Sequence, residues 1–460
     1  MKLPVISWFY GGAYIFGAKD QFGPALPLYG GVGVVQQSGG NVIFVSSNYR
    51  VGAFGFLAGT TMEQEGLPNA GLYDQRAVLQ WIQDNIGLVG GDKTQVSAWG
   101  ESAGAGSIQF HLTQFGGTQD PLFSKAVILS SAFQTLFDRK GQLEQTFQNF
   151  TTLAGCAGQG VACLRAASAD ALDQANVKLN EAGPMGTFAV GPAADGTFAR
   201  QLPALEFASG NYWKGIQSVI ISHVSDEADL FVPPGVVTDE QFNTLLNATL
   251  PAYAVPAGII NAIDTRYPPV KASGSNYTLE HDRLRDYIGE SSFQCNARFL
   301  TDAYDGKNYN IQYSVTPGLH ASDLLTVFYD LNLDLNVFGH DVPFPLVPGF
   351  GSFAQAYQSY LVSHARSGDP NKYKKTLNIP SAITWPKPGS STADDITSVL
   401  NAFDLGFSVI TDSVTSEARC DFWRQAQAAL TSAGGYAPPG SVVSSSLEGV
   451  DTGDNSSGNY

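Results

Sequence analysis

Gln95-Val-Ser-Ala-Trp-Gly-Glu-Ser-Ala-Gly-Ala-Gly-Ser107 is the stretch that decides the fold. It begins as a strand, with Val96, Ala98 and Trp99 apolar, and ends in small residues able to open a helix. At the junction, Gly100-Glu-Ser-Ala-Gly104 matches G-x-S-x-G, the pattern of a nucleophile elbow. A serine on so sharp a strand-to-helix turn is forced into a strained backbone conformation. Only small residues two positions to either side let strand and helix pass each other. Ser102 Oγ would then stand clear of the sheet, over the N–H groups and positive dipole end of the following helix. In a chain with 50 glycines the five-residue pattern also fits an ordinary Gly-Ser turn. The flanks favour the elbow.

Upstream, Leu3 to Tyr10 reads as a strand running into the loop Gly11-Gly12-Ala13. Asn41 to Ser47 is a second, almost continuously apolar strand, the mark of a sheet covered on both faces. Gly71 to Ile86 has helical spacing, with Leu72, Gln75, Leu79 and Ile82 at turn intervals. Downstream, Lys125 to Ser130, Gln217 to Val224 and Asn308 to Val315 read as further strands, and 353–366 and 417–430 as late helices. Two helical, loop-rich insertions separate them, at about 134–212 and from about 230 to 305. Strand–helix–strand alternation predicts an α/β fold with a mostly parallel sheet, right-handed crossovers and helices on both faces. Residues 1–433 are expected to form one domain. The Gly/Ser/Pro-rich stretch 434–460 has little to bury and is expected to be a disordered tail.

Composition narrows the partners. The chain has 460 residues, 43% hydrophobic and only 14% charged, enough for a large core. A formal net charge of -16 without any basic cluster argues against nucleic acid or an anionic membrane surface. The apolar runs are too short and interrupted to span a bilayer, so integral membrane association is not expected. The opening residues Met1 to Gly12 carry Pro4, aromatics and a Gly pair where a signal peptide needs an unbroken apolar core, and read better as a buried strand. Oligomeric state is not readable.

The four cysteines, Cys156, Cys163, Cys295 and Cys420, contain no C-x-x-C, which excludes zinc-ribbon and dithiol-redox spacing. Two disulfides in an oxidising compartment are expected, with buried free thiols as the alternative. A Cys156–Cys163 bridge would close a short loop. A Cys295–Cys420 bridge would close a long one, worth on the order of 4 kcal/mol in the chain-entropy model. Sequons at Asn149, Asn247, Asn276 and Asn455 are compatible with secretion.

A nucleophilic serine needs a base, and the base an orienting acid. Of six histidines, His111 lies nine residues along the helix from Ser102, about 13 Å at helical rise, and reads as structural. His223 sits inside a strand and reads as a satisfied core residue; His281 and His364 read as surface residues. His320, in a loop just past a strand end, is favoured over His340 in its Gly-His-Asp turn. For the acid, Glu227 follows the Gln217–Val224 strand, with Asp226 and Asp229 as neighbours of similar claim. Oxyanion donors are expected from Ala103, next to the nucleophile, and from Gly12 and Ala13 of the early Gly loop.

With these residues assembled, the chain resembles the type-B carboxylesterase family, the group that includes cholinesterases and the large fungal lipases. The likeness is dense between residues 3 and 131: Trp-Phe-Tyr-Gly-Gly-Ala (8–13), Asn-Tyr-Arg-Val-Gly-Ala-Phe-Gly-Phe-Leu (48–57), Asn-Ala-Gly-Leu-Tyr-Asp-Gln (69–75), Gly90-Gly-Asp92 and Gly-Glu-Ser-Ala-Gly-Ala (100–105). Weaker echoes follow at 225–231, 318–323, 368–371 and Trp385-Pro386. The resemblance implies an α/β-hydrolase fold, with Ser102 as nucleophile, Glu227 as acid, His320 as base, and Gly12, Ala13 and Ala103 as oxyanion donors. It implies hydrolysis of a small ester or lipid through an acyl-enzyme on Ser102, in a secreted glycoprotein, with no metal or organic cofactor. Cys295 and Cys420 match a family disulfide, and Cys156 and Cys163 resemble an internal loop of the fungal members.

Ala13 stands where a third Gly is common, and Ala228 replaces the usual Gly after the acid. Family members also run well upstream of the strand that opens this chain, so an N-terminal truncation with an uncovered sheet edge is expected. Two other functions compete with ester hydrolysis: a non-catalytic, cholinesterase-like adhesion protein, and an inactive fragment. Substrate acyl length, and lipase against esterase, are not legible in the sequence.

Overall fold

The computed structural model describes residues 2–21, 27–183, 187–330, 335–337, 340–342, 348–374, 383–389 and 394–438. Eight strands form its central sheet: β1 (Leu3–Phe9), β2 (Ile43–Ser46), β3 (Gly91–Glu101), β4 (Lys125–Leu129), β5 (Ser218–Val224), β6 (Asn308–Tyr313), β7 (Ile396–Phe403) and β8 (Gly406–Asp412). Their order across the sheet is β8-β7-β6-β5-β4-β3-β1-β2. All neighbours run parallel except β7 and β8, which form an antiparallel hairpin at one edge. Sequence patterning finds β1 to β6 and misses that hairpin: Thr397 and Asn401 interrupt the apolar run of β7, and β8, the edge strand, keeps Ser408 and other residues partly in water.

Strand alternation divides the core into two layers. Ile6 and Trp8 of β1, Val127 and Leu129 of β4 and Ile220 of β5 face one side. There they pack with Phe353, Tyr357 and Tyr360 of a long late helix, Phe350–Ser367. Val5 and Phe9, Ala126 and Ile128, and Val219 and Ile221 face the other. That layer is covered by helix α1 (Ala70–Asn85), helix α2 (Ala103–Gly117), helix α3 (Asp239–Thr249), helix α4 (Glu280–Gly289), helix α5 (Cys295–Ala303) and helix α6 (Glu417–Ala433). β2 departs from expectation: its apolar residues are only half-buried, because it is the other edge of the sheet and no strand covers it among the described residues.

Both disulfides form, Cys156–Cys163 and Cys295–Cys420, the second joining the start of α5 to α6. Among the described residues no helix is long and apolar enough to cross a membrane. The expected tail from Gly434 lies, beyond Pro438, outside the described residues.

Candidate active site

Ser102 follows directly on β3 and caps α2 with φ 54° and ψ −122°, the positive-φ strain expected of an elbow. Three backbone hydrogen bonds hold the turn. Ser102 N–H donates to Leu129 O at 3.0 Å, and Ser102 O accepts from Gly106 N at 2.9 Å and from Ala132 N at 3.1 Å. The small flanks are steric necessities. A Cβ on Gly100 would lie 2.6 Å from Gly104 C, and one on Gly104 would lie 2.0 Å from Phe9 O.

The Gly loop after β1 approaches the serine closely. A Cβ on Gly11 would sit 2.9 Å from Ser102 Cβ and 2.6 Å from Glu101 Oε2. Gly12, Ala13 and Tyr14 all have positive φ, turning the chain sharply beside the serine. Tyr14 is buried and its hydroxyl donates to Ala132 O at 3.0 Å, tying the strained loop to the segment after β4. Ala13, Tyr14, Ser102, Ala103, Phe133, Phe188, Phe231, Ile288 and Phe293 line one pocket.

The acid and the histidine come together because the turns after β5 and β6 are stitched to each other. Ser225 N–H donates to Tyr313 O, Asp226 N–H donates to Gly318 O at 2.9 Å, and Asp226 pairs with Leu319 as an isolated parallel bridge. Glu227 and His320 thereby meet at 2.6 Å, His320 Nδ1–H donating to Glu227 Oε2. Val224 N–H donates to the other oxygen, Oε1, at 2.9 Å. His320 Nε2 has no hydrogen-bond partner among the described residues. It lies 3.3 Å from Oε1 of Glu101, the neighbour of Ser102. Phe231 and Phe293, both in the pocket wall, meet the imidazole edge-on at 5.2 and 4.9 Å between centroids.

The other candidates fall elsewhere. Asp229 lies by the half-exposed His281 at 3.6 Å, and Asp226 makes no hydrogen bond to His320. His111 is buried against Gln75, and burial pushes it down to about 3. His340 opens a short strand, His340–Val342. His364 is not a surface residue: it is fully buried, Nε2 3.0 Å from Ser218 Oγ, because its helix packs flat on the sheet.

Two buried acids escaped sequence reasoning. Glu101 and Asp323 are 1% and 0% exposed. Burial lifts Glu101 above the usual carboxylate range, Asp323 and Glu227 add to the rise, and His320 opposes it. Burial and the charge of Glu227 raise Asp323 to about 7. Burial disfavours charge on His320 as well, but Glu101, Glu227 and Asp323 outweigh it and raise the imidazole well above its ordinary value. The available signal was a glutamate inside an otherwise apolar strand end, Ala98-Trp-Gly-Glu101. Among the described residues no group of three or more His, Cys, Asp or Glu is arranged to hold a metal ion.

A family model described as "Carboxylesterase family" matches residues 1–423. A protein named "Secreted lipase" from Arthroderma benhamiae is 40% identical over 435 residues, covering 95% of this chain and 80% of that protein. "Carboxylesterase patB" of Penicillium expansum is 30% identical, covering 92% of this chain and 70% of its own length. Among solved structures, that of Aspergillus niger EstA superposes with a TM-score of 0.74 over 94% of this chain and 81% of that one. Its 23% identity makes this a likeness of fold.

Proposed function

Because the chain belongs to the carboxylesterase family, we propose that Ser102, Glu227 and His320 are the residues that carry out its ester hydrolysis. The protein is a carboxylic ester hydrolase of α/β-hydrolase fold. In the proposed reaction His320 Nε2 takes the proton of Ser102 Oγ as the oxygen attacks the ester carbonyl. The oxyanion accepts hydrogen bonds from the N–H groups of Gly12, Ala13 and Ala103. His320 then protonates the departing alcohol, leaving the acyl group on Ser102. Water, deprotonated by the same imidazole, attacks the acyl-enzyme and releases the carboxylic acid. Glu227 accepts Nδ1–H throughout, fixing the tautomer and favouring the imidazolium.

The observation that carries this reading is His320 itself: one nitrogen is bonded to a buried carboxylate at 2.6 Å, and the other is unbonded beside the residue that precedes the serine. Labelling the protein with a fluorophosphonate and mapping the adduct tests it. The expected adduct is on Ser102, and one elsewhere refutes the assignment. Ser102→Ala should lower turnover by on the order of 10⁶ while the fold persists.

The substrate is an acyl ester whose chain leaves the serine between aromatic walls. Gln134, Ile288 and Ser292 line both the serine pocket and a second chamber, which is walled by Leu245, Leu250, Tyr287, Trp423 and Leu430. Such a wall suits acyl chains longer than acetate. The enzyme works outside the cell on this reading: it carries two disulfides, which last in oxidising compartments, and its relatives include proteins named secreted lipases.

A further inference from the structure

Behind Glu227 lies a second histidine with both ring nitrogens bonded. His223 is near the end of β5, one residue before Val224, whose N–H holds Glu227 Oε1. His223 Nδ1 is 3.0 Å from Val224 O, and its Nε2 is 2.8 Å from Asp412 Oδ2. A carbonyl oxygen can only accept, so Nδ1 carries a hydrogen. Asp412, the last residue of β8, is supplied with donors from its other side. Oδ1 accepts from Val414 N at 3.0 Å, and Oδ2 accepts from the Thr415 hydroxyl at 2.9 Å. A carboxyl group so supplied is held ionised, and Nε2 then donates too. Both side chains are buried.

Burial alone would strip the proton from His223. The Asp412 charge, the two hydrogen bonds and nearby Glu227 outweigh it and raise His223 to about 9. The same imidazolium holds Asp412 below the ordinary carboxylate range despite burial.

We propose that His223, kept as an imidazolium by Asp412, is a positioning residue for ester hydrolysis: it grips Val224 by its carbonyl while the N–H of Val224 holds Glu227, and it faces the acid with positive charge. The proposal rests on the assignment of Glu227 and His320 above. Three carboxyl groups face His320: Glu227 from the turn after β5, Glu101 from the end of β3, and Asp323 from its own loop. Each raises the proton affinity of a base that has to be neutral to act. The His223–Asp412 pair, reaching from β5 to β8, opposes them. Its positive end is the one bonded to Val224, whose N–H holds Glu227, and positive charge there favours an unprotonated His320.

Two measurements on the full chain test this. The acid limb of the kcat/KM–pH profile reports loss of the proton from the base in the free enzyme. Removing the positive charge with His223→Gln should move that limb to higher pH by about one unit. Asp412→Asn, which frees His223 to shed its proton, should move it the same way by less. A role confined to packing would lower the melting temperature and leave the limb in place. An unmoved limb in either variant with native circular dichroism overturns the proposal.

The second measurement keeps His223 and needs no activity. Ring ¹⁵N spectra are recorded on the ¹⁵N-histidine-labelled chain carrying His320→Gln. The expected result is one imidazolium with both nitrogens protonated from pH 5 to 8; none remaining at pH 8 overturns the proposal. The two assignments separate cleanly. Activity surviving in Ser102→Ala or His320→Gln would refute the triad, while inactive triad variants with a neutral His223 would refute only its charge.

Discussion

At the scale of single residues, the site is a contest over one proton. His320 is buried among Glu101, Glu227 and Asp323, and only Glu227 is hydrogen-bonded to it. Burial opposes its charge and the three acids favour it, and the acids win. A folded-state value above the ordinary ~6.5 of imidazole places the rise of activity with pH on the alkaline side of that figure. Glu101→Gln removes a carboxylate that raises the histidine, so the acid limb should move to lower pH by about one unit. A profile of kcat/KM against pH for the two proteins checks the sign, and an upward shift would contradict it. His223→Gln should move the same limb the opposite way, making the pair of variants a matched comparison.

At the scale of elements, the elbow works because β1, β3 and α2 approach at distances that no side chain permits. Gly104→Val would force a branched side chain against Phe9 O, where even a Cβ sits at 2.0 Å, and should cost about 3 kcal/mol or more in chemical denaturation. Gly87→Ala, at a site with nothing within 4 Å, should stay within about 0.5 kcal/mol. The run from α4 into α5 passes through a π-helical turn, Glu290–Gln294, carrying Phe293 to the imidazole. The extra residue in such a turn swings side chains out of the α-helical register, a device common near functional sites. Ile288, one turn earlier, lines both chambers. Ile288→Trp should lower kcat/KM for long acyl esters by about tenfold and spare acetate esters, read from a chain-length series of p-nitrophenyl esters.

At the scale of the whole molecule, stability depends on how the late helices are fastened to the sheet. Cys295–Cys420 spans 125 residues and ties α6 to α5. Removing it with paired Cys→Ser changes should cost on the order of 4 kcal/mol. Removing Cys156–Cys163, which spans 7 residues, should cost about half as much. Equilibrium unfolding of the two double variants measures the difference, and equal losses would show that loop length is not the controlling quantity. The same sheet sets the site, since the turns after β5 and β6 meet only because their strands are neighbours in register.

The sequence by itself determined the parallel sheet from β1 to β6, the elbow at Ser102, the Gly loop and the choice of Glu227 and His320 as candidates. These features are local: apolar runs bounded by turns, and glycines where the backbone passes within a Cβ radius of another strand or helix. What only the tertiary structure decided was which distant groups share one buried space. Nothing near Glu101 in the chain shows that Asp323 and His320 lie beside it, and the polar-looking segment around His364 gave no sign of its burial under the sheet. Nor does the sequence connect His223 with Asp412, which are 189 residues apart yet 2.8 Å from each other. Electrostatic coupling depends on separation in space and on excluded water, and the folded chain alone supplies both.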